Sequence, residues 1–280
     1  MGTSAMRWLL KKSARKTMAL ASRMGTARGG IHVLTYHRFG NAARDPFCVG
    51  TEDFEQQMAL LARLGTAVSM ADVEALLHDR REPSAGAVLV TIDDGCPSFV
   101  EHALPILRRH GIPAVLFVPA GELVDGTPAR GNSEEPTDRM TWEELRAVAD
   151  AGVVVGSHAW THESLGHMSL DGAREQARRS RAVLEQRLGR PVTTFAYPFG
   201  TRADYSPALA DMLREAGYTS AFTSQHGAVR ADSDPFMLPR VKIEGGEALW
   251  MFDASLRGGL DAWRWIDRTM WKLQAAGAPR

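Results

Sequence analysis

The sequence predicts an α/β fold, a distorted or incomplete (β/α)7-type barrel formed as a single domain. The chain has 280 residues and is 44% hydrophobic, which is enough material for one large core. Apolar runs alternate with capped segments of helical period, as in parallel βαβ units. Several of these runs end directly in polar residues, at what would be the carboxyl edge of the strands, where ligands bind in such folds.

Seven apolar runs are interpreted as strands, and this number favours an incomplete barrel over an open sheet. The run at 87–92 is continuously apolar, as in a strand that is buried on both faces. The predicted strands are 31–36, 87–92, 112–118, 153–155, 192–197, 218–223 and 237–243.

Helices are predicted between these strands from apolar periodicity and from capping residues. Ser69 and Thr141 each begin a capping box, in which a side chain and a backbone N–H bond reciprocally at the helix start. Thr51 is the predicted N-cap of the first helix of the barrel. The predicted helices are 52–64, 69–77, 97–111, 141–152, the segment that ends at Gly189, and 207–216.

Charge and composition divide the chain into three parts. Residues 1–30 contain seven basic and no acidic side chains, which predicts either a helix lying on an anionic membrane surface or a frayed basic tail. Residues 31–246 form the predicted barrel. Residues 247–280 contain four tryptophans and are predicted to be a helical extension, with the tryptophans packed in the core rather than binding carbohydrate.

Overall charge and targeting signals limit the partners. Lys plus Arg and Asp plus Glu each number 33, so no global charge attracts nucleic acid. Two cysteines provide no disulfide framework. No run has the length of a membrane span, and no signal peptide is recognised. The expected location is cytoplasmic, with peripheral contact at the inner membrane face as an option.

The residues with the clearest chemistry are Asp93 and Asp94, followed by Gly95, and His158 and His162. Both groups come directly after predicted strands. Two histidines and one carboxylate form a compact site for a catalytic divalent metal. Asp94 is the predicted third ligand, and Asp93 the general base for a water molecule. The alternative for the aspartates alone is a turn and a helix cap.

Three ordered motifs then identify a family. The chain contains Thr-Ile-Asp-Asp-Gly at 91–95, Ser-His-Ala-Trp-Thr-His at 157–162 and Phe-Ala-Tyr-Pro-Phe-Gly at 195–200. In this order they resemble the polysaccharide deacetylases with a NodB-homology domain, carbohydrate esterase family 4. The resemblance implies hydrolysis of the N-acetyl group of an amino sugar. It also implies a zinc-type metal, with cobalt or nickel as alternatives.

The third motif departs from the family pattern. Ala196 stands where many relatives have an arginine beside the base, and Arg240 is the predicted replacement, with an ordinary surface arginine as the alternative. The backbone N–H of Tyr197 is the predicted donor to the oxyanion, since Pro198 has none. Substrate is expected to contact Tyr197, Pro198, Phe199 and Trp160.

The general acid is the second departure, because the C-terminal Leu-x-His of relatives is absent. His37, at the end of the first strand, and His226 compete for this role, and His167 is a weaker candidate. The preferred function is N-deacetylation of a bacterial polysaccharide or of a lipid-linked surface-glycan intermediate. De-N-formylation, hydrolysis of another small amide, and a glycan-binding pseudoenzyme are the alternatives. A non-haem iron oxygenase shares the ligand types, but the adjacent aspartates suit hydrolysis better.

Overall fold

The computed structural model describes residues 13–20, 29–41, 45–126, 138–267 and 269. The strands are β1 (His32–Tyr36), β2 (Arg38–Phe39), β3 (Cys48–Val49), β4 (Val88–Ile92), β5 (Ala114–Val118), β6 (Val154–Ser157), β7 (Thr194–Ala196), β8 (Ser220–Phe222) and β9 (Val241–Lys242). The helices are α1 (13–20), α2 (Thr51–Leu64), α3 (Met70–Asp79), α4 (Leu104–His110), α5 (Trp142–Asp150), α6 (Leu170–Leu188), α7 (Pro207–Glu215) and α8 (Leu249–Leu256).

The main sheet has seven strands in the order β8-β7-β6-β5-β4-β1-β9, and every neighbouring pair is parallel. All seven predicted strands are present. The edge strand β8 makes an isolated parallel bridge, through Phe222, to Leu238 in the segment that leads into the other edge strand, β9. The sheet therefore curls into a distorted, incompletely closed barrel of one domain, which confirms the predicted fold class.

Alternate strand residues pack on opposite faces of the sheet, as the period of two requires. Val33, Leu89 and Phe117 belong to one buried cluster, whereas Leu34 and Val90 belong to the cluster that includes the covering helices. Both faces are buried, so the strands read as continuous apolar runs rather than as alternating ones. This is why 87–92 was recognisable from sequence.

The helix ends follow the capping signals with one correction. The capping boxes at Ser69 and Thr141 are both formed. The prediction for Thr51 is wrong, because Gly50 is the N-cap of α2 and makes no side-chain cap bond. A π-helical segment, Phe99–Ala103, precedes α4. The short parallel pair β2–β3 was not predicted.

The described part of the N-terminal segment is attached to the barrel through Arg15 of α1. This side chain is fully buried, and its Nε lies 2.7 Å from Oε1 of Glu247. Its guanidinium also donates to the carbonyl of Lys242 at 2.8 Å and lies 3.9 Å from Glu244. Residues 13–20 are therefore not separate from the fold, while 1–12 and 21–28 lie outside the described residues.

We expect Arg15→Met to lower the free energy of unfolding by about 3–5 kcal/mol, because two buried carboxylates lose their cation. Urea unfolding followed by circular dichroism measures the change. Lys16→Met is the matched control, since Lys16 is exposed on the same helix. Equal stability of the two variants would show that the ion pair does not contribute to folding.

The C-terminal tryptophans have different environments. Trp263 is 4% exposed and packs as predicted, but Trp265 is 57% exposed, so the prediction of a core position is wrong for Trp265. Trp271 lies outside the described residues. Within the described ranges, no helix combines the length and the apolar character that crossing a membrane requires.

Candidate active site

The two adjacent aspartates point to different partners because the backbone turns sharply between them. Asp94 has φ +73° and Gly95 has φ +65°, and a β-carbon at Gly95 would lie 2.9 Å from the side chain of Val118. Asp93 is still tied to the sheet, since its N–H donates to the carbonyl of Tyr36 at 3.0 Å. This turn separates the two carboxylates, as the sequence predicted.

Asp94, His158 and His162 lie together in a geometry that fits a divalent metal. Their ligand atoms are within 4.8 Å of one another, and Nε2 of His158 and of His162 lie 3.6 and 3.3 Å from Oδ1 of Asp94. Zinc holds such donors at about 2.0–2.2 Å, so two tetrahedral donors stand about 3.4 Å apart. The buried Oδ1 of Asp94 has no hydrogen-bond partner among the described residues, which leaves it able to bind a cation.

The tautomer of His158 also suits a ligand. Its Nδ1 lies 2.7 Å from the carbonyl oxygen of Ala196. A carbonyl only accepts, so Nδ1 is the donor, and in the neutral imidazole Nε2 is then the nitrogen available to bind a cation beside Asp94. Ala196, where relatives have an arginine, thus contributes through its backbone.

Asp94 is ionised at neutral pH, as a metal ligand must be. Burial raises the pKa of this carboxyl, but its interactions with His158 and His162 outweigh burial and hold the pKa well below its usual value. The interaction between Asp94 and His162 has the opposite effect on the pKa of His162. Burial lowers the pKa of that imidazole, and Asp94 raises it above its ordinary value.

Asp93 forms a bidentate ion pair with Arg240. The two guanidinium nitrogens donate to the two carboxylate oxygens at 2.7 and 2.8 Å, and each residue is only 3% exposed. Arg240 Nε also donates to the carbonyl of Thr223 at 2.9 Å. Burial raises the pKa of Asp93, but the positive charges of Arg240 and His158 lower it by more than burial raises it, so the net shift is downward. Arg240 is therefore beside the predicted base, and its catalytic role stays a prediction.

The third motif requires a correction. The N–H of Tyr197 donates to the carbonyl of Phe222 at 3.0 Å, and its side chain is fully buried, so Tyr197 offers neither a donor nor a surface to substrate. Phe199 has φ +61°, and its N–H has no acceptor among the described residues. Phe199 is 44% exposed, and its ring lies 4.8 Å from the His162 ring. The N–H that this turn can offer an oxyanion is that of Phe199; Pro198 has none and is buried.

The three histidines proposed as general acid lie in different places. His37 packs edge-on against Phe47 at 4.9 Å. It directly follows Tyr36, whose carbonyl accepts from the N–H of Asp93, so His37 lies near the aspartates. Burial lowers its pKa to about 4, against the opposing charges of Asp94 and Asp93. His226 is buried, and its Nδ1 lies 2.9 Å from Asp267.

His167 is exposed in a 3-10 turn. Trp160, predicted to bind substrate, has the guanidinium of Arg179 over its ring at 3.9 Å. Its contact with substrate stays a prediction.

Sequence reasoning missed Phe47 and Lys242 at the edge of the site. Phe47 is 40% exposed, and the ammonium of Lys242 lies 3.2 Å from its ring centre. Lys242 follows Arg240 by two positions, so both side chains leave the chain on the same side. The signal in the sequence was only this spacing and an aromatic residue in the polar loop before β3.

Backbone strain is concentrated in the three motifs. Among the described residues, the non-glycine residues with positive φ are Arg80, Asp94, Ala159 and Phe199. Three of these four belong to the motifs at the carboxyl ends of β4, β6 and β7. Such conformations cost of order 1–3 kcal/mol each and cluster at functional sites, so they support the assignment of the site independently of the side chains.

The chain is similar in sequence to known deacetylases. A family model described as polysaccharide deacetylase matches residues 80–221. The poly-beta-1,6-N-acetyl-D-glucosamine N-deacetylase of Escherichia coli (strain K12) is 27% identical over 260 residues, and the match covers 80% of this chain and 38% of that protein.

Two solved structures share the fold. IcaB from Ammonifex degensii superposes with a TM-score of 0.69 at 27% identity, covering 82% of this chain and 97% of that one. The Streptococcus pyogenes deacetylase PplD in complex with acetate gives a TM-score of 0.67 at 21% identity, covering 78% and 94%.

Proposed function

Because this chain belongs to the polysaccharide deacetylase family, we propose that it removes the N-acetyl group from an amino sugar of a bacterial polysaccharide. The observation that supports this most is that a candidate metal site and a candidate general base lie side by side. Asp94 faces two imidazoles at 3.3 and 3.6 Å, and Asp93 stands next to it, held by Arg240. A metal-binding protein without turnover would not need the second carboxylate.

Asp94, His158 and His162 would hold the metal, and their nitrogen and oxygen donors suit zinc, with cobalt or nickel as alternatives. When bound, the metal would supply Lewis acidity and lower the pKa of a water molecule. Asp93 would accept the proton of the attacking water, and Arg240 keeps the carboxylate ionised for that purpose. The N–H of Phe199 would donate to the oxyanion of the tetrahedral intermediate.

The decisive experiment is to measure acetate released from N-acetylated oligosaccharides of glucosamine by the purified protein with zinc, cobalt or nickel. We expect release that depends on added metal and stops with a chelator. N-formylated oligosaccharides in parallel test the alternative acyl group. Bound metal without release of either acid would favour a pseudoenzyme.

His37 is proposed to protonate the leaving amine. The imidazole, with its pKa lowered to about 4, is neutral at pH 7 in the free protein. Negative charge developing on the oxyanion would raise this pKa, so the imidazole would take up a proton from solvent and pass it to the leaving nitrogen. We expect His37→Asn to lower kcat for the amide about 100-fold or more. Hydrolysis of p-nitrophenyl acetate should change much less, because nitrophenolate leaves without a proton. Equal losses on both substrates would remove His37 from the acid role.

We also propose that the glycan contacts the exposed side chain of Phe199. Phe47 and Lys242, next to His37, are the proposed glycan contacts on the other side of the site. More specifically, we propose that the substrate is a lipid-linked sugar at the cytoplasmic side of the membrane. Residues 1–30 would then contact an anionic membrane, which Lys16 and Leu20 support, since both are exposed on α1.

Deleting residues 1–12 should weaken binding to anionic vesicles at low salt, since each basic residue near the surface contributes about 1 kcal/mol. The deletion leaves Arg15 in place, so folding should not change. Binding measured by co-sedimentation that is unaffected by the deletion would count against membrane contact.

A further inference from the structure

The loop that carries both histidine ligands, residues 158–162, has its backbone bonded on two sides. On one side lies the chain that follows β5. The N–H of Ala120 donates to the carbonyl of Ala159 at 3.2 Å, and the N–H of Gly121 donates to the carbonyl of Trp160 at 2.7 Å. A β-carbon at Gly121 would lie 2.4 Å from the indole, so glycine is needed for this close approach.

On the other side, the amide groups of the loop are bound by two side chains. Oε1 of Gln176, on α6, accepts from the N–H of Trp160 at 3.0 Å and of Thr161 at 2.8 Å, and its Nε2 donates to Oγ1 of Thr161 at 3.1 Å. Oε1 of Glu122 accepts from the N–H of His162 at 2.8 Å. Three successive N–H groups are therefore satisfied by Gln176 and Glu122 alone.

Glu122 is itself held in one orientation. Its other carboxylate oxygen lies 2.8 Å from both Nε and a terminal nitrogen of Arg139. With Oε2 bound by Arg139, Oε1 is fixed towards the N–H of His162. Gln176 needs no such pair, because it bonds the loop through both ends of its amide.

We propose that Gln176 and Glu122 are positioning residues that set the metal affinity of this site, an inference that rests on the proposed function. Neither belongs to the ligand set; both act through the backbone. Ala159 has φ +67°, a conformation that an alanine leaves unless its surroundings hold it. Without the two side chains, the loop can relax and move His158 and His162 away from Asp94.

The test uses the full chain with Gln176→Ala, Glu122→Ala and the conservative variants Gln176→Glu and Glu122→Gln, which keep an acceptor oxygen. Zinc affinity is measured by competition with a chromogenic chelator, and coordination geometry by the visible spectrum of the Co²⁺ form. Glu175→Ala is the control, since Glu175 is an exposed neighbour on α6.

We expect each alanine variant to bind zinc about 10–100-fold more weakly and to show an altered Co²⁺ spectrum. Gln176→Glu should resemble the wild type, because the hydroxyl of Thr161 can donate to the introduced carboxylate, and so should the control. Glu122→Gln has one acceptor oxygen where Glu122 uses two, so its zinc affinity should lie between that of the wild type and that of Glu122→Ala. Saturating zinc should restore most of kcat. Wild-type zinc affinity in both alanine variants would overturn the inference. So would equal losses in alanine and conservative variants, which would indicate a general structural role. Should one alanine variant not fold, the comparison at the other position decides.

Failure of the proposed function and failure of the positioning role of Gln176 and Glu122 give different results. If the wild type binds neither zinc nor Co²⁺, the metal site itself is excluded, and the inference with it. If the wild type binds metal but releases no acetate, the proposed function fails while the affinity comparison still decides the role of Gln176 and Glu122.

Discussion

Asp93→Asn is expected to keep its metal and to lose nearly all turnover. The proposed ligand atoms belong to Asp94, His158 and His162, whereas the oxygens of Asp93 face Arg240 at 2.7 and 2.8 Å. An amide cannot take the proton of the attacking water, and loss of a general base lowers kcat by about 10²–10⁴-fold. Metal content by mass spectrometry and acetate release from the same preparation measure the two effects.

The histidine variants provide the contrast. His158→Ala and His162→Ala each remove a proposed ligand, so both metal and activity should be lost. Asp94→Asn should behave like them. If Asp93→Asn strips the metal while Asp94→Asn leaves it bound, the roles within the aspartate pair are reversed.

Folding must be controlled in the Asp93 variant, because asparagine leaves the buried Arg240 without its counter-charge. Thermal unfolding of each variant, measured after removal of metal with a chelator, reports this effect. A variant that is folded at the assay temperature, retains metal and is inactive supports the base assignment.

Arg240→Ala should have the second-largest effect, on stability as well as on activity. Removing one partner of a buried ion pair costs about 3–5 kcal/mol, since the other charge stays buried and uncompensated. In the folded protein the pKa of Asp93 is below its ordinary value. The stability it contributes is therefore present above the unfolded pKa of about 3.9 and is lost as pH falls through the folded value.

This sign gives a specific pH dependence. In Arg240→Ala burial still raises the pKa of Asp93, but the main opposing charge is gone, so the pKa rises. The difference in unfolding free energy between wild type and variant should be largest near pH 7 and should shrink below about pH 4, as the pH falls towards the lowered pKa of Asp93 in the folded wild type. Urea unfolding of the metal-free proteins at both pH values measures it.

The same change should appear in kinetics. A higher pKa of the base moves the acidic limb of the kcat/KM profile to higher pH, and metal content should not change. Arg240→Lys is the matched control, because it keeps the charge and loses the bidentate geometry; its limb should lie between the other two. An acidic limb that does not move in Arg240→Ala would show that Arg240 does not control the base.

Much of this protein follows from its sequence alone. Seven apolar runs and their intervening helices predicted the curled parallel sheet, because strand and helix periods are local properties of the chain. The three motifs are predicted to lie in one site, since the carboxyl ends of parallel strands meet at one edge of the sheet. Arg240 was proposed only because Ala196 left the base without its usual cation.

Other features were decided by tertiary contacts. The N–H of Tyr197 was expected to bind an oxyanion, but its position beside β8 gives it to Phe222. Arg15 was assigned to a separate basic segment, yet it is buried against Glu247, 232 positions away. Gln176 belongs to no motif, and it binds the loop of residues 158–162 because α6 packs behind that loop. Local patterns encode period and capping, whereas the partner of a given polar group depends on which distant segments the fold brings within about 3 Å.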